Sequence, residues 1–152
     1  PLKFLPQGTV ETARGCPFAC SFCTVINVQG RTMRSRSVDG VVQYIREVWD
    51  QSGIAHYFFT DDNAARNKLW PELFDVFAKL REVEHIPLTF MMQVDLARKK
   101  DGFTERAARA GCTQVFLGME SVNPANLSAE GKHRTKLKSM PVLSKAGMRW
   151  MW

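Results

Sequence analysis

Short apolar stretches and amphipathic helical stretches alternate along this chain, and in three places a single glycine stands between a helical pattern and the next strand. In "VDGVVQYIREVWDQ", Val38, Val41, Val42, Ile45, Val48 and Trp49 recur in steps that mark one face of a helix. Ser37 suits its N-cap, Asp39 its first turn, and Gly53 the left-handed residue that ends it. "IAHYFFT" then reads as a buried strand. The pattern repeats in "KLWPELFDVFAKLREV", with a stripe through Leu69, Leu73, Phe74, Phe77 and Leu80 and with Pro71 in the first turn, where a missing N–H is harmless. "IPLTFMMQV" is the next strand, a short helix covers Thr104 to Ala110, and "CTQVFLGME" is a fourth strand. A last helix, blemished by Pro141, reaches Gly147 before "MRWMW". Gly53, Gly111 and Gly147 punctuate helix-to-strand connections, and the one near His85 lacks a glycine.

An extended segment from Thr9 to Thr12 precedes all this. Strands too apolar for one wet face argue for a parallel sheet covered by helices. Such a sheet is either a barrel or doubly wound. No G-x-G-x-x-G follows the first strand, which removes the best support for a dinucleotide-binding sheet. The expectation is an α/β fold, a partial (βα) barrel truncated at about the fifth strand. The chain starts at Pro1 and stops in what reads as a strand just begun, so sequence is expected to be missing at both ends.

With 152 residues and 45% hydrophobic content, the chain can bury one real core. Its longest uncharged apolar run falls well short of the ~20 residues a membrane helix needs, so no membrane span and a cytoplasmic location are expected. The net charge of +6 permits an anionic partner without requiring one.

Three of the four cysteines, Cys16, Cys20 and Cys23, crowd into "CPFACSFC". In an α/β barrel the loops after the strands gather at the working end. The cysteine loop follows the first strand; His56, His85 and Cys112 lie before or at the start of theirs. A strand of about seven residues, at roughly 3.3 Å each, puts those three some ~20 Å from the loop, far beyond a metal bond. His133 is the remaining local candidate, and with it a closed Cys₃His zinc site, in an interaction or nucleic-acid-binding domain, is one reading. The other is a [4Fe-4S] cluster held by three thiolates with one iron left open.

The C-x₃-C-x₂-C of "CPFACSFC", with Phe22 before the last cysteine and the loop placed after the first strand of a (βα) repeat, resembles the radical S-adenosylmethionine (SAM) enzymes. The resemblance runs on through "RSRS", "YFFTDDNAARNK", "MMQVD", "AGCTQVFLGMESVNP" and "GKHR", and is strongest to members that carry a cobalamin-binding domain upstream. It implies that residues 1–152 are an incomplete radical SAM core domain, lacking an N-terminal cobalamin-type domain and the C-terminal barrel strands. It also implies that Cys16, Cys20 and Cys23 hold a [4Fe-4S] cluster whose open iron takes S-adenosylmethionine, and that the cofactor is cleaved to methionine and a 5′-deoxyadenosyl radical. That radical acts on a small-molecule substrate or assists a cobalamin-dependent methyl transfer. An electron donor such as flavodoxin or ferredoxin follows as a partner. No catalytic residue is assigned.

From the same resemblance Asp61, Asp62 and Asn63 line up against the amino group of S-adenosylmethionine, Glu120 and Ser121 against its methionyl or ribose part, and Phe22 against cluster and adenine. Gln93 and Asp95, after the third strand, are treated likewise. Taken alone, Asp62 or Asn63 also suits a turn cap. Arg14, Arg31, Arg34 and Arg36 flank the cysteine loop and read either as counter-charges to an anionic centre or as solvated surface. "KHRTKLK" has no interleaved aromatics, so nucleic-acid binding is not the expected function. Cys112 reads as a small core residue.

Overall fold

The computed structural model describes residues 6–95, 102–118 and 147–151. Five strands form one parallel sheet: β1 (Gln7–Val10), β4 (His56–Phe59), β5 (Thr89–Val94), β6 (Cys112–Leu117) and β7 (Arg149–Met151). A separate antiparallel ribbon pairs β2 (Ala13–Arg14) with β3 (Arg34–Ser35). Spatial order in the main sheet equals chain order, β1-β4-β5-β6-β7. A doubly wound sheet reverses direction at a switch point; this one does not, which decides for the barrel type.

The sheet also curls. Thr9, Phe58, Met91 and Gln114 share a register row, and Gln93 and Phe116 share the next. The rings of Phe58 and Phe116 meet edge-on with centroids 5.8 Å apart. They belong to strands separated by β5, which a flat sheet would hold about 9.5 Å apart, twice the usual strand spacing. The face carrying them is therefore concave, as the inner wall of a barrel is.

The other face is covered. Helix α2 (Val38–Ser52) buries Val38, Val41, Val42 and Ile45; its N-cap Ser37 accepts the Gly40 amide at 3.2 Å, and Gly53 ends it at φ 66°. Helix α3 (Trp70–Glu82) buries Trp70, Leu73, Phe74, Phe77, Ala78 and Leu80, and α4 (Phe103–Ala110) buries Phe103, Ala107 and Ala110. Against them the sheet presents Val10, Tyr57, Phe59, Phe90, Met92, Val94, Val115 and Leu117. Phe59 stacks on Phe90 at 4.5 Å, and Phe74, Phe77, Trp70 and Phe103 extend the aromatic cluster. Trp70 is part of this core although the sequence stripe begins at Leu69, which is only partly buried.

Gly111 and Gly147, like Gly53, have positive φ. At the connection without a glycine, His85 takes the left-handed conformation itself, at φ 56°. The last helical pattern, with Pro141, lies outside the described residues, and β7 pairs in parallel with β6 where the closing strand is expected. A short helix, α1 (Val25–Val28), and the β2–β3 ribbon are additions that the sequence does not announce.

Candidate functional site

The cysteine loop grows out of the ribbon. Ala13 pairs with Ser35 and Arg14 with Arg34, so the chain entering the loop is clamped beside the chain leaving it. Gly15 follows at φ 96°, with the Thr32 carbonyl only 2.5 Å from where a Cβ would stand. The Cys16 amide then donates to the Gly30 carbonyl at 3.2 Å, and a turn closes from the Cys23 amide to the Cys20 carbonyl at 3.1 Å. Cys16, Cys20 and Cys23 are free thiols of intermediate burial, at the carboxyl end of the sheet.

The Cys16 thiol is pushed above its ordinary range, first by burial and then by the neighbouring Cys20, Asp62 and Cys23, against an opposing hydrogen bond from the Phe18 amide. Three thiols close enough to repel as thiolates fit a cationic iron–sulfur core, which reverses that penalty. Among the described residues no three His, Cys, Asp or Glu side chains converge on one point as a single-ion site requires. His133 lies outside the described residues.

"DDNAARN" after β4 ties the loops of this end together. Asp61 accepts the Thr12 amide at 2.6 Å and the Thr12 hydroxyl, and Asn67 Nδ2 donates to the same hydroxyl oxygen at 3.0 Å. Asp62 accepts the Gly15 amide at 3.0 Å. Asn67 Oδ1 accepts the Ser35 hydroxyl at 2.7 Å and the Leu69 amide at 3.0 Å. Asn63 Oδ1 accepts the Asp95 amide at 3.3 Å. Arg66 donates through Nε and Nη2 to Asp95 Oδ2, and its guanidinium lies 4.8 Å over the Phe18 ring.

The expectation that Asp61 faces a cofactor meets a side chain only 2% exposed. Its carboxylate is engaged by Thr12, just after β1, and burial raises its pKa to about 6 against the hydrogen bonds from Thr12 and the Ala13 amide. Asn63 is buried too, and it makes no side-chain cap of the turn it precedes. Asp62 is partly exposed beside the cysteine loop. Gln93 is exposed on the concave face, in register with Phe116, and Phe22 is 52% exposed. Glu120 and Ser121 lie outside the described residues. Thr12, Arg66 and Asn67, which join these parts, were not singled out by the sequence; a polar run directly after an apolar strand was the available signal.

His56 pairs its Nδ1 with Thr89 Oγ1 at 2.8 Å at the start of β4 and β5, at the opposite end from the cysteines. Cys112 is buried at the start of β6, and burial pushes its thiol up to about 12. Arg14, Arg31, Arg34 and Arg36 are exposed; Arg14 pairs with Glu11 at 2.6 Å, and Arg34 donates to the Gln29 carbonyl.

The family model described as the Radical SAM superfamily matches residues 10–149. The chain belongs to the radical SAM superfamily. Among curated proteins it is 34% identical over 135 residues to the bacteriochlorophyllide d C-12(1)-methyltransferase of Chlorobaculum tepidum, covering 86% of this chain and 28% of that protein. It is 30% identical over 114 residues to the cytidylyl-2-hydroxyethylphosphonate methyltransferase of Streptomyces wedmorensis, covering 75% of this chain and 21% of that protein. Among solved structures, the radical S-adenosylmethionine methyltransferase TsrM from Kitasatospora setae, with cobalamin and [4Fe-4S] cluster bound, superposes with a TM-score of 0.82 at 21% identity. That match covers 95% of this chain and 30% of the other. The chain thus spans less than a third of the length of these relatives, and the radical SAM fold seen here is a partial barrel.

Proposed function

We propose that this chain is the cluster-carrying core of a radical SAM enzyme, with Cys16, Cys20 and Cys23 as ligands of a [4Fe-4S] cluster. The observation that carries it is the geometry of the loop: three cysteines of intermediate burial within eight residues, clamped by a two-stranded ribbon, at the carboxyl end of a parallel, singly wound sheet. A cluster with one open iron, when bound with S-adenosylmethionine and given an electron, supplies cleavage of the sulfonium to methionine and a 5′-deoxyadenosyl radical.

The chain's own residues do the rest. Gly15 and the ribbon fix the entry and exit of the loop, and Asp62 holds the Gly15 amide. Phe22, Asp62 and Gln93, with Glu120 and Ser121, would line S-adenosylmethionine, while the buried Asp61 and Asn63 tie the loops behind them to Thr12 and to the end of β5. The concave face of Phe58, Met91, Gln93 and Phe116 forms part of the wall that keeps water from a reactive small-molecule substrate.

The methyltransferase names of the curated relatives and the likeness to TsrM support methyl transfer as the reaction, with cobalamin held by residues outside these 152. A flavodoxin- or ferredoxin-type protein serves as electron donor. No helix among the described residues is long and apolar enough to cross a membrane, which accords with a cytoplasmic enzyme.

Anaerobic reconstitution of the full-length protein with iron and sulfide tests the reading. About four irons per chain, a brown colour, and release of 5′-deoxyadenosine or S-adenosylhomocysteine on reduction with S-adenosylmethionine are expected. Alanine at Cys16, Cys20 or Cys23 abolishes them, and alanine at Cys112 does not. A colourless protein holding one zinc through His133 would refute it.

A further inference from the structure

We infer that Arg66 is a positioning residue for the cysteine loop, setting through Phe18 the seat, and through its own cation the local charge, of the metal group that the three cysteines hold; this rests on the reading above. Phe18 lies between Cys16 and Cys20, away from the ribbon that clamps the two ends of the loop. The Arg66 guanidinium lies 4.8 Å over its ring. A cation held face-on to a ring gains from the ring's negative face, and gains more when partly shielded from water. Here the Arg66 side chain is 23% exposed.

The ion pair shows how firmly that cation is held. Arg66 Nε and Nη2 both donate to Asp95 Oδ2, at 2.9 and 2.6 Å, and Asp95 is 13% exposed. An arginine usually meets a carboxylate fork to fork, one nitrogen to each oxygen. This one leaves Asp95 Oδ1 buried and unpartnered among the described residues. The guanidinium thus forgoes the second oxygen in the position where it covers Phe18. The turn beneath it is just as fixed: the Arg66 amide donates to the Asn63 carbonyl at 3.0 Å, and Ala64 and Ala65 are buried, small residues that seat the turn against the sheet. The end of β5, the turn after β4 and the middle of the cysteine loop are therefore linked through one side chain.

The linkage has two separable consequences. Removing the cation frees the loop and leaves the Asp95 carboxylate uncompensated behind it, which would disfavour adding an electron to a metal group held by the loop. Removing only the Asp95 charge has the opposite electrostatic sign. A residue that merely stabilised the fold would not give shifts of opposite sign.

The test is made on the reconstituted full-length protein, comparing wild type with Arg66→Met, Arg66→Lys, Phe18→Leu and Asp95→Asn. The readouts are iron per chain, the rate of iron loss to a chelator, and the cluster midpoint potential followed by EPR. Arg66→Met is expected to lose iron several-fold faster and to shift the potential to more negative values. Arg66→Lys restores the potential but only part of the iron retention. Phe18→Leu speeds iron loss at an unchanged potential, and Asp95→Asn shifts the potential to more positive values. If Arg66→Met does not fold, the Lys, Leu and Asn variants still decide the matter. Wild-type iron retention and potential in all the variants that fold would overturn the inference while leaving the family reading intact; a wild-type protein that takes up no iron would overturn both.

Discussion

Asp61 accepts hydrogen bonds from both the amide and the hydroxyl of Thr12, so that one carboxylate ties the end of β4 to the turn after β1. The carboxylate is buried and its pKa is raised from 3.8 to about 6. In the folded state it therefore keeps its proton to higher pH than in the unfolded state. The sign follows: the contribution to stability is fully present below about pH 4 and is lost as pH rises through about 6. Two pH units amount to about 3 kcal/mol. Asp61→Asn is expected to remove this slope and to match or exceed wild-type stability at pH 8, because an amide still accepts the Thr12 amide. Urea unfolding of both proteins from pH 4 to 8, compared as a difference, measures it, and parallel curves would contradict it.

Gly15 stands where the two ends of the cysteine loop come close, against the Thr32 and Gly30 carbonyls. An alanine there faces both a left-handed backbone and the Thr32 carbonyl, the first alone costing about 1–2 kcal/mol. Gly15→Ala should keep the far-UV spectrum of the folded protein and lose most of its capacity to take up iron. Full iron uptake by this variant would show that the loop tolerates a different path.

His85 stands where three other helix-to-strand connections have glycine, with the same left-handed φ. Relief of the side-chain penalty outweighs the extra chain entropy of glycine, and His85→Gly should stabilise the domain by about 1 kcal/mol. A rise in Tm checks this, and a fall would mean that the imidazole makes a contact of greater value.

Phe58 and Phe116 touch across β5 only because the sheet curls. A double-mutant cycle of Phe58→Leu and Phe116→Leu should return a coupling of about 1 kcal/mol. Strict additivity would indicate a flatter sheet.

Much of the fold is legible in the sequence because helices and buried strands leave periodic traces many residues long, and because Ser37, Gly53 and Gly111 mark their ends by local chemistry. The β2–β3 ribbon is not legible, since two residues on each side carry no period. His85 hides a helix end for the complementary reason: it performs the left-handed turn without the residue that announces it. In the site, the spacing of Cys16, Cys20 and Cys23 survives in any alignment of strands and so could be read directly. The division of labour between Asp61 and Asp62 could not. Adjacent residues at a strand end point to opposite sides, so one carboxylate turns inward to Thr12 and the other towards Gly15, and only tertiary structure says which. Thr12 and Asn67 find each other across 55 residues, a separation over which no local pattern carries information.

The identity of spatial and sequential strand order has a consequence for biogenesis. On a ribosome, which releases the N-terminus first, each strand of the main sheet after β1 emerges to find its earlier neighbour already made, and only β1 has to wait for a later one. Assembly can proceed as a one-way zipper, with the cysteine loop in place beside β1 well before the far side of the sheet exists.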